Sequence, residues 1–98
     1  RTTFPWSGRL LSVTVISSLA GGSTDITFHK NENTTAIETQ TTSIDAVDTP
    51  YRCNFSGSAF DADDLLHIGI DVTTSNNHIH NVIVVWQLNV EKPVFTQE

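Results

Sequence analysis

Methionine is absent from this 98-residue chain, cysteine occurs once, and only five residues are basic. Each shortage removes a class of function. With Cys53 alone, no intrachain disulfide can form and no cysteine-based zinc motif exists. Cys53 alternates with Tyr51 and Phe55, which predicts a buried structural thiol rather than a reactive one. Arg1, Arg9, Lys30, Arg52 and Lys92 are scattered among eleven acidic residues, giving a formal charge of −6 and a pI near 4.9. No basic stripe is there to neutralise phosphates, so nucleic acid is not an expected partner, and an acidic membrane surface would repel the chain. No run of about 18 apolar residues marks a transmembrane helix, and no signal-peptide pattern is seen. A chain that begins with Arg1 is expected to be a processed product, a cut fragment or part of a longer protein.

Charged residues make up only 16% of the chain and apolar residues 38%, while Ser and Thr account for about a quarter. Many β-branched and hydroxyl side chains with few helix formers favour an all-β fold. A single domain of this length buries roughly 60–65% of its unfolded surface, which leaves it marginal alone.

The pattern along the chain is one of period two. "RTTFPWS" (residues 1–7) reads as an extended arm whose Phe4 and Trp6 must dock. "RLLSVTVISS" alternates, with Leu11, Val13 and Val15 on one face and Leu10 and Ile16 as exceptions. After an "AGGS" loop, "TDITFHK" turns Ile26 and Phe28 inward. "NEN" at Asn31–Asn33 is a hairpin-type turn. "TTAIETQTT" is a polar edge strand with Ile37 as its clearest apolar anchor, and Ser43–Pro50 is a connection. Tyr51, Cys53 and Phe55 alternate, and "SGS" bends the chain into Phe60. Leu66, Ile68, Ile70 and Val72 then share a face opposite His67, Gly69 and Asp71. "TTSNNHIHN" is a polar loop. "VIVVWQLNV" places Val82, Val84, Trp86, Leu88 and Val90 on one face and Ile83 and Val85 on the other. Pro93 ends it.

About seven or eight short strands with no helical period predict an antiparallel β-sandwich over residues 8–92, with an arm at 1–7 and a tail at 93–98. The expected core is Val13, Val15, Ile26, Phe28, Tyr51, Cys53, Phe55, Phe60, Leu66, Ile68, Ile70, Val84, Trp86 and Leu88. A strand with apolar residues on both faces is covered on both. Ile83 and Val85, with Leu10 and Ile16, are therefore expected at an oligomer interface.

Candidate chemistry is thin. Asp61, Asp63 and Asp64 in "SAFDADDLLHIGID" lack the spacing of a hand-type calcium loop and run straight into a strand. They read as a solvated corner that starts the strand. The competing reading is a calcium ion there, with further ligands from Ser75–Asn77. His78 and His80 form an H-x-H that reads as a pair of solvated rings in a polar loop; the competing reading is a metal half-site, with His29 or His67 as a third ligand brought up in space. No G-x-S-x-G nucleophile motif is present, no cofactor is called for, and no enzymatic role is expected. "NTT" at Asn33–Thr35 and "NFS" at Asn54–Ser56 match the glycosylation sequon, as chance allows in so hydroxyl-rich a chain. Phe4, Trp6, Tyr51 and Trp86 would supply stacking surfaces if the chain were instead a carbohydrate-binding module with acidic loops, assisted by calcium.

"GRLLSVTVIS", "ITFHKNENTT", "SAFDADDLLHIGID" and "NVIVVWQLN" together resemble the small jelly-roll modules of tailed-phage virions, found in fibre and spike tips and in head-decoration proteins. Their topology is similar to that of the tumour necrosis factor and complement-head superfamily. In that family Lys-Asn-Gly closes a hairpin and Phe-x-Ala-Gly-Asp forms a corner. Here Glu32 and Asp63 stand where those glycines are usual. The resemblance implies a jelly-roll homotrimer on the virion surface, held to other virion proteins and facing a host-surface glycan, that acts by assembly and attachment.

Overall fold

The computed structural model describes residues 1–72 and 79–90. Seven strands follow one another: β1 (Gly8–Ser17), β2 (Gly22–Lys30), β3 (Glu38–Ile44), β4 (Tyr51–Asn54), β5 (Ala59–Phe60), β6 (Leu66–Val72) and β7 (Ile79–Leu88). All pairings are antiparallel and form two sheets. In the larger sheet β1 pairs with β4 and β5 along one edge and with β7 along the other. The smaller sheet has the order β3-β2-β6. Their apolar faces pack together as a β-sandwich. β2 and β3 form a hairpin, whereas the chain passes between sheets after β1, β3, β5 and β6.

The hairpin turn explains the run Lys30-Asn31-Glu32-Asn33. Asn31 and Glu32 both have positive φ (54° and 62°), and the Asn33 amide donates to the Lys30 carbonyl at 3.0 Å. Two successive left-handed residues give a primed-type turn that opens the connection over residues 31–37 between β2 and β3. Asn at its first central position suits that geometry, and Glu32 adopts it in place of glycine.

Leu10, Val13, Val15, Ile26, Phe28, Ile44, Cys53, Phe55, Phe60 and Leu66 form the buried core. Tyr51, Ile68, Ile70, Val84, Trp86 and Leu88 are half-buried against it. At one end Phe4, Phe28, Phe60 and Trp86 make a ring cluster with centroids 5.4–6.4 Å apart. Such contacts add about 0.5–1.5 kcal/mol per pair beyond area burial. The arm reaches this cluster through Phe4 and pairs with the β6 edge, Thr2 and Leu66 exchanging backbone hydrogen bonds at 2.7 and 3.0 Å.

Three expectations are corrected. Leu10, expected at an oligomer interface, is fully buried (0% exposed) inside the domain. The β1–β7 register slips between Leu10 and Ser12: Leu10 lies opposite Trp86 and Ser12 opposite Val85. Leu11 is thus the extra residue of a bulge, and inward parity passes from Leu10 to Val13 and Val15. Ile37, expected as the apolar anchor of its strand, lies just before β3 and is 43% exposed. Ile44, expected in a connection, ends β3 and is 0% exposed.

Gly8 is required by close approach, since a Cβ there would lie 2.2 Å from the Gln87 carbonyl oxygen across the β1–β7 ladder.

Leu10→Ala should cost about 2–5 kcal/mol, the usual range for a fully buried leucine. Urea unfolding measures it. A loss below 0.5 kcal/mol would mean Leu10 does not face the core.

Candidate functional site

The aspartate corner lies between β5 and β6. The Asp64 amide donates to the Asp61 carbonyl at 3.2 Å, closing a turn in which Asp63 takes a φ of 67°. The Asp63 amide donates to the Phe4 carbonyl at 2.8 Å, tying the arm down. The Asp64 carboxylate is occupied on both oxygens, by the Asn31 side-chain amide at 3.0 Å and the Asp61 amide at 2.8 Å. Those hydrogen bonds, with the nearby Lys30 charge, hold the Asp64 carboxyl below its ordinary range. Asn31 also accepts from the Leu65 amide at 2.9 Å and donates its own amide to the Leu65 carbonyl at 2.7 Å. The cluster therefore knots the β2–β3 turn, the arm and the start of β6. Among the described residues no three His, Cys, Asp or Glu side chains gather as metal ligands. Ser75–Asn77, the further calcium ligands considered, lie outside the described residues.

His78 also lies outside the described residues. His80 faces Asp48, with Nε2 3.0 Å from its carboxylate, on the exposed surface. The histidines brought together are instead His29 and His67. They are direct partners in the β2–β6 ladder, with ring centroids 5.8 Å apart. They line a cleft of about 340 Å³ with Arg1, Glu32, Asn33, Thr34, Leu65 and Leu66. Arg1 is ion-paired with Glu32.

Glu38 is the residue that sequence reasoning missed. From the start of β3 its carboxylate crosses to the β4–β5 turn. It accepts from the Ser56 amide (3.1 Å), the Gly57 amide (2.7 Å), the Ser58 hydroxyl (2.8 Å) and the Gln40 side chain (2.6 Å). Partial burial pushes its carboxyl upward, but these hydrogen bonds outweigh that effect and the net shift is downward. Glu38 thus staples the small sheet to the large one at the side where β3 meets β4. No local signal joins it to "SGS", which lies 18 to 20 residues on.

The outer faces of the two sheets differ. That of β3-β2-β6 carries Asp25, Thr27 and His29, Thr39, Thr41 and Ser43, and His67, Gly69 and Asp71, none of them apolar. On the other sheet, Ile83 and Val85 point outward at 47% and 43% exposed. Their ladder neighbours are Thr14 and Ser12 of β1, which lead on to Arg52 and Asn54 of β4. Ile16 is half-buried on the same face, opposite Asn81. Among the described residues β7 pairs only with β1, and none of them covers its second edge. No carboxylate occurs from Ile79 to Val90 in a chain that has eleven. An uncharged edge strand is a ready surface for association.

No protein-family model, curated protein or solved structure matches the chain.

Two outcomes follow from the polar clamps. Asp63→Gly should raise stability by about 0.5–1 kcal/mol, because glycine accepts a positive φ without the Cβ clash while costing some unfolded-state entropy. Denaturant unfolding would show it, and a clear loss would mean that the side chain rather than the backbone decides this position. Glu38 is depressed when folded, so its stabilisation is full above the unfolded glutamate pKa of about 4.3 and fades as pH falls through the folded value. Glu38→Gln should be less stable at pH 7 and should lose less on going from about pH 5 to about pH 3. Parallel acid profiles for the two proteins would remove Glu38 from this role.

Proposed function

We propose that this chain is a structural module of a tailed-phage virion, a homotrimer placed at a fibre or spike tip or on the capsid surface, that acts by assembly and surface attachment rather than by catalysis. The observation that carries this reading is the outward pair Ile83 and Val85, two large apolar side chains nearly half exposed on a strand that has no Asp, Glu, Lys or Arg and pairs, among the described residues, with β1 alone. A small domain gains by burying such a face against further copies of itself. Packing three copies of β7 around a threefold axis would cover it and close the assembly. A jelly-roll winding belongs to the same proposal. The β1–β7 and β2–β6 ladders nest one inside the other, as in a rolled ribbon, while β4 and β5 pair with β1 and β3 with β2.

In this reading the arm Arg1–Ser7 sits at one end of the sandwich, suited to link the module to other virion proteins. The polar outer face of β3-β2-β6 is the side left to solvent or to a host-surface glycan.

Light scattering tests it. The expected mass is about three times the 10.8 kDa of one chain. The double substitution Ile83→Asp, Val85→Asp should give a folded monomer with an unchanged far-ultraviolet β spectrum, since like charges would then meet in a desolvated contact. A native chain that is monomeric at tens of micromolar sinks the proposal.

A further inference from the structure

We propose that His29 and His67 form a two-imidazole site for a borderline transition-metal dication, of the Zn²⁺, Ni²⁺ or Cu²⁺ class, on the outer face of the small sheet. The two residues are 38 positions apart in sequence, and the β2–β6 register sets them directly opposite each other. Directly opposed positions hold Cβ atoms about 4.5–5.5 Å apart. That is the spacing from which two imidazoles converge on one ion at metal–nitrogen distances of about 2.0–2.1 Å. Their ring centroids already lie 5.8 Å apart and tilted at 55°, rather than stacked flat.

The surroundings fit a ligand role. His29 Nδ1 lies 3.0 Å from the Asn33 carbonyl oxygen. A carbonyl only accepts, so Nδ1 carries the hydrogen and donates it. The lone pair of the neutral ring is then on Nε2. This is the backbone-held imidazole commonly found behind a metal-binding nitrogen. Nε2 now accepts from the Thr27 hydroxyl at 2.9 Å, a partner that an ion would displace. Gly69, opposite Thr27, leaves room for the Thr27 hydroxyl that holds Nε2, since a Cβ there would come within 2.4 Å of the Thr27 oxygen. His67 is exposed and lines the same open cleft, so water can complete the coordination sphere. Arg1, which lines the cleft, is paired with Glu32, so the two charges offset each other at the rim. Imidazole nitrogens select zinc, nickel and copper rather than calcium or magnesium. The site is thus separate in place and in chemistry from the aspartate corner. Because β2 and β6 are joined by it, an ion bound there would favour the folded state by mass action.

The experiment uses untagged protein, titrated with ZnCl₂ and separately with NiCl₂. It is followed by the ring resonances of all four histidines and by the melting temperature. The expected result is a saturable change at His29 and His67 and a higher melting temperature, both reversed by EDTA. His67→Ala should weaken binding at least tenfold, and as an exposed position it keeps the fold. Thr27→Val, which removes the competing hydroxyl donor, should tighten binding severalfold. The proposal is overturned if no saturable change occurs up to millimolar metal. It is equally overturned if the response is confined to His78 and His80 and survives His67→Ala unchanged.

Discussion

One bulge in the central strand of the larger sheet decides which residues make the core. β1 is the strand to which β4, β5 and β7 all pair, so its facing sets the facing of the whole layer. Strict alternation through Leu10 to Ile16 would put either Leu10 or Val13 on the outside. The extra residue at Leu11 turns both inward. Leu10 then meets the ring cluster around Trp86, and Val13 and Val15 continue the apolar layer against Val84 and Cys53. Without the shift, one half of the sheet would present its polar side to β2. Slipping by one residue exchanges the two faces of a strand, which is why so small an irregularity has so large a consequence.

The rest of the sandwich is closed by polar clamps at its margins. Asn31 and Asp64 lock the β2–β3 turn to the corner before β6, and the Phe4 carbonyl adds the arm to that knot. Glu38 does the same on the other side, where β3 passes to β4. Both clamps use carboxylates as acceptors for backbone amides that turns leave without ladder partners, and such charge-assisted bonds are stronger than neutral ones. Among the described residues, no buried side-chain nitrogen or oxygen lacks a partner. Of the three aspartates at the corner, Asp64 thereby spends its carboxylate on geometry, and Asp61 and Asp63 contribute through their backbone amides.

The two outer faces then divide the surface. One sheet shows only polar side chains and a histidine pair over a shallow cleft. The other shows Ile83 and Val85 beside an edge that none of the described residues covers. A face with two exposed apolar side chains and no carboxylate on its β7 strand is suited to repeated contact with copies of the same chain. A hydrated face is suited to solvent and to ligands that bind through polar groups or ions. The assembly proposal and the metal proposal rest on opposite sides of the sandwich and fail independently.

Read alone, the sequence determined the all-β class and most of the inward alternation in β2, β4 and β6. It also marked the turn at Asn31 and the outward pair on the last long strand, because each follows from a two-residue period or from the backbone preference of one residue. The positive φ at Glu32 and Asp63 was not legible in that way, since neither residue is glycine and Glu has no preference for left-handed backbone. Tertiary structure alone decided the side on which Leu10 lies, since a bulge is fixed by the partner strand and not by the residues that form it. It also decided that Ile44 rather than Ile37 anchors β3, because burial depends on where the opposite sheet ends. The opposition of His29 to His67 and the reach of Glu38 to Ser58 come from ladder register and from the passage of the chain between sheets. Those long-range distances leave no periodic trace in a single sequence.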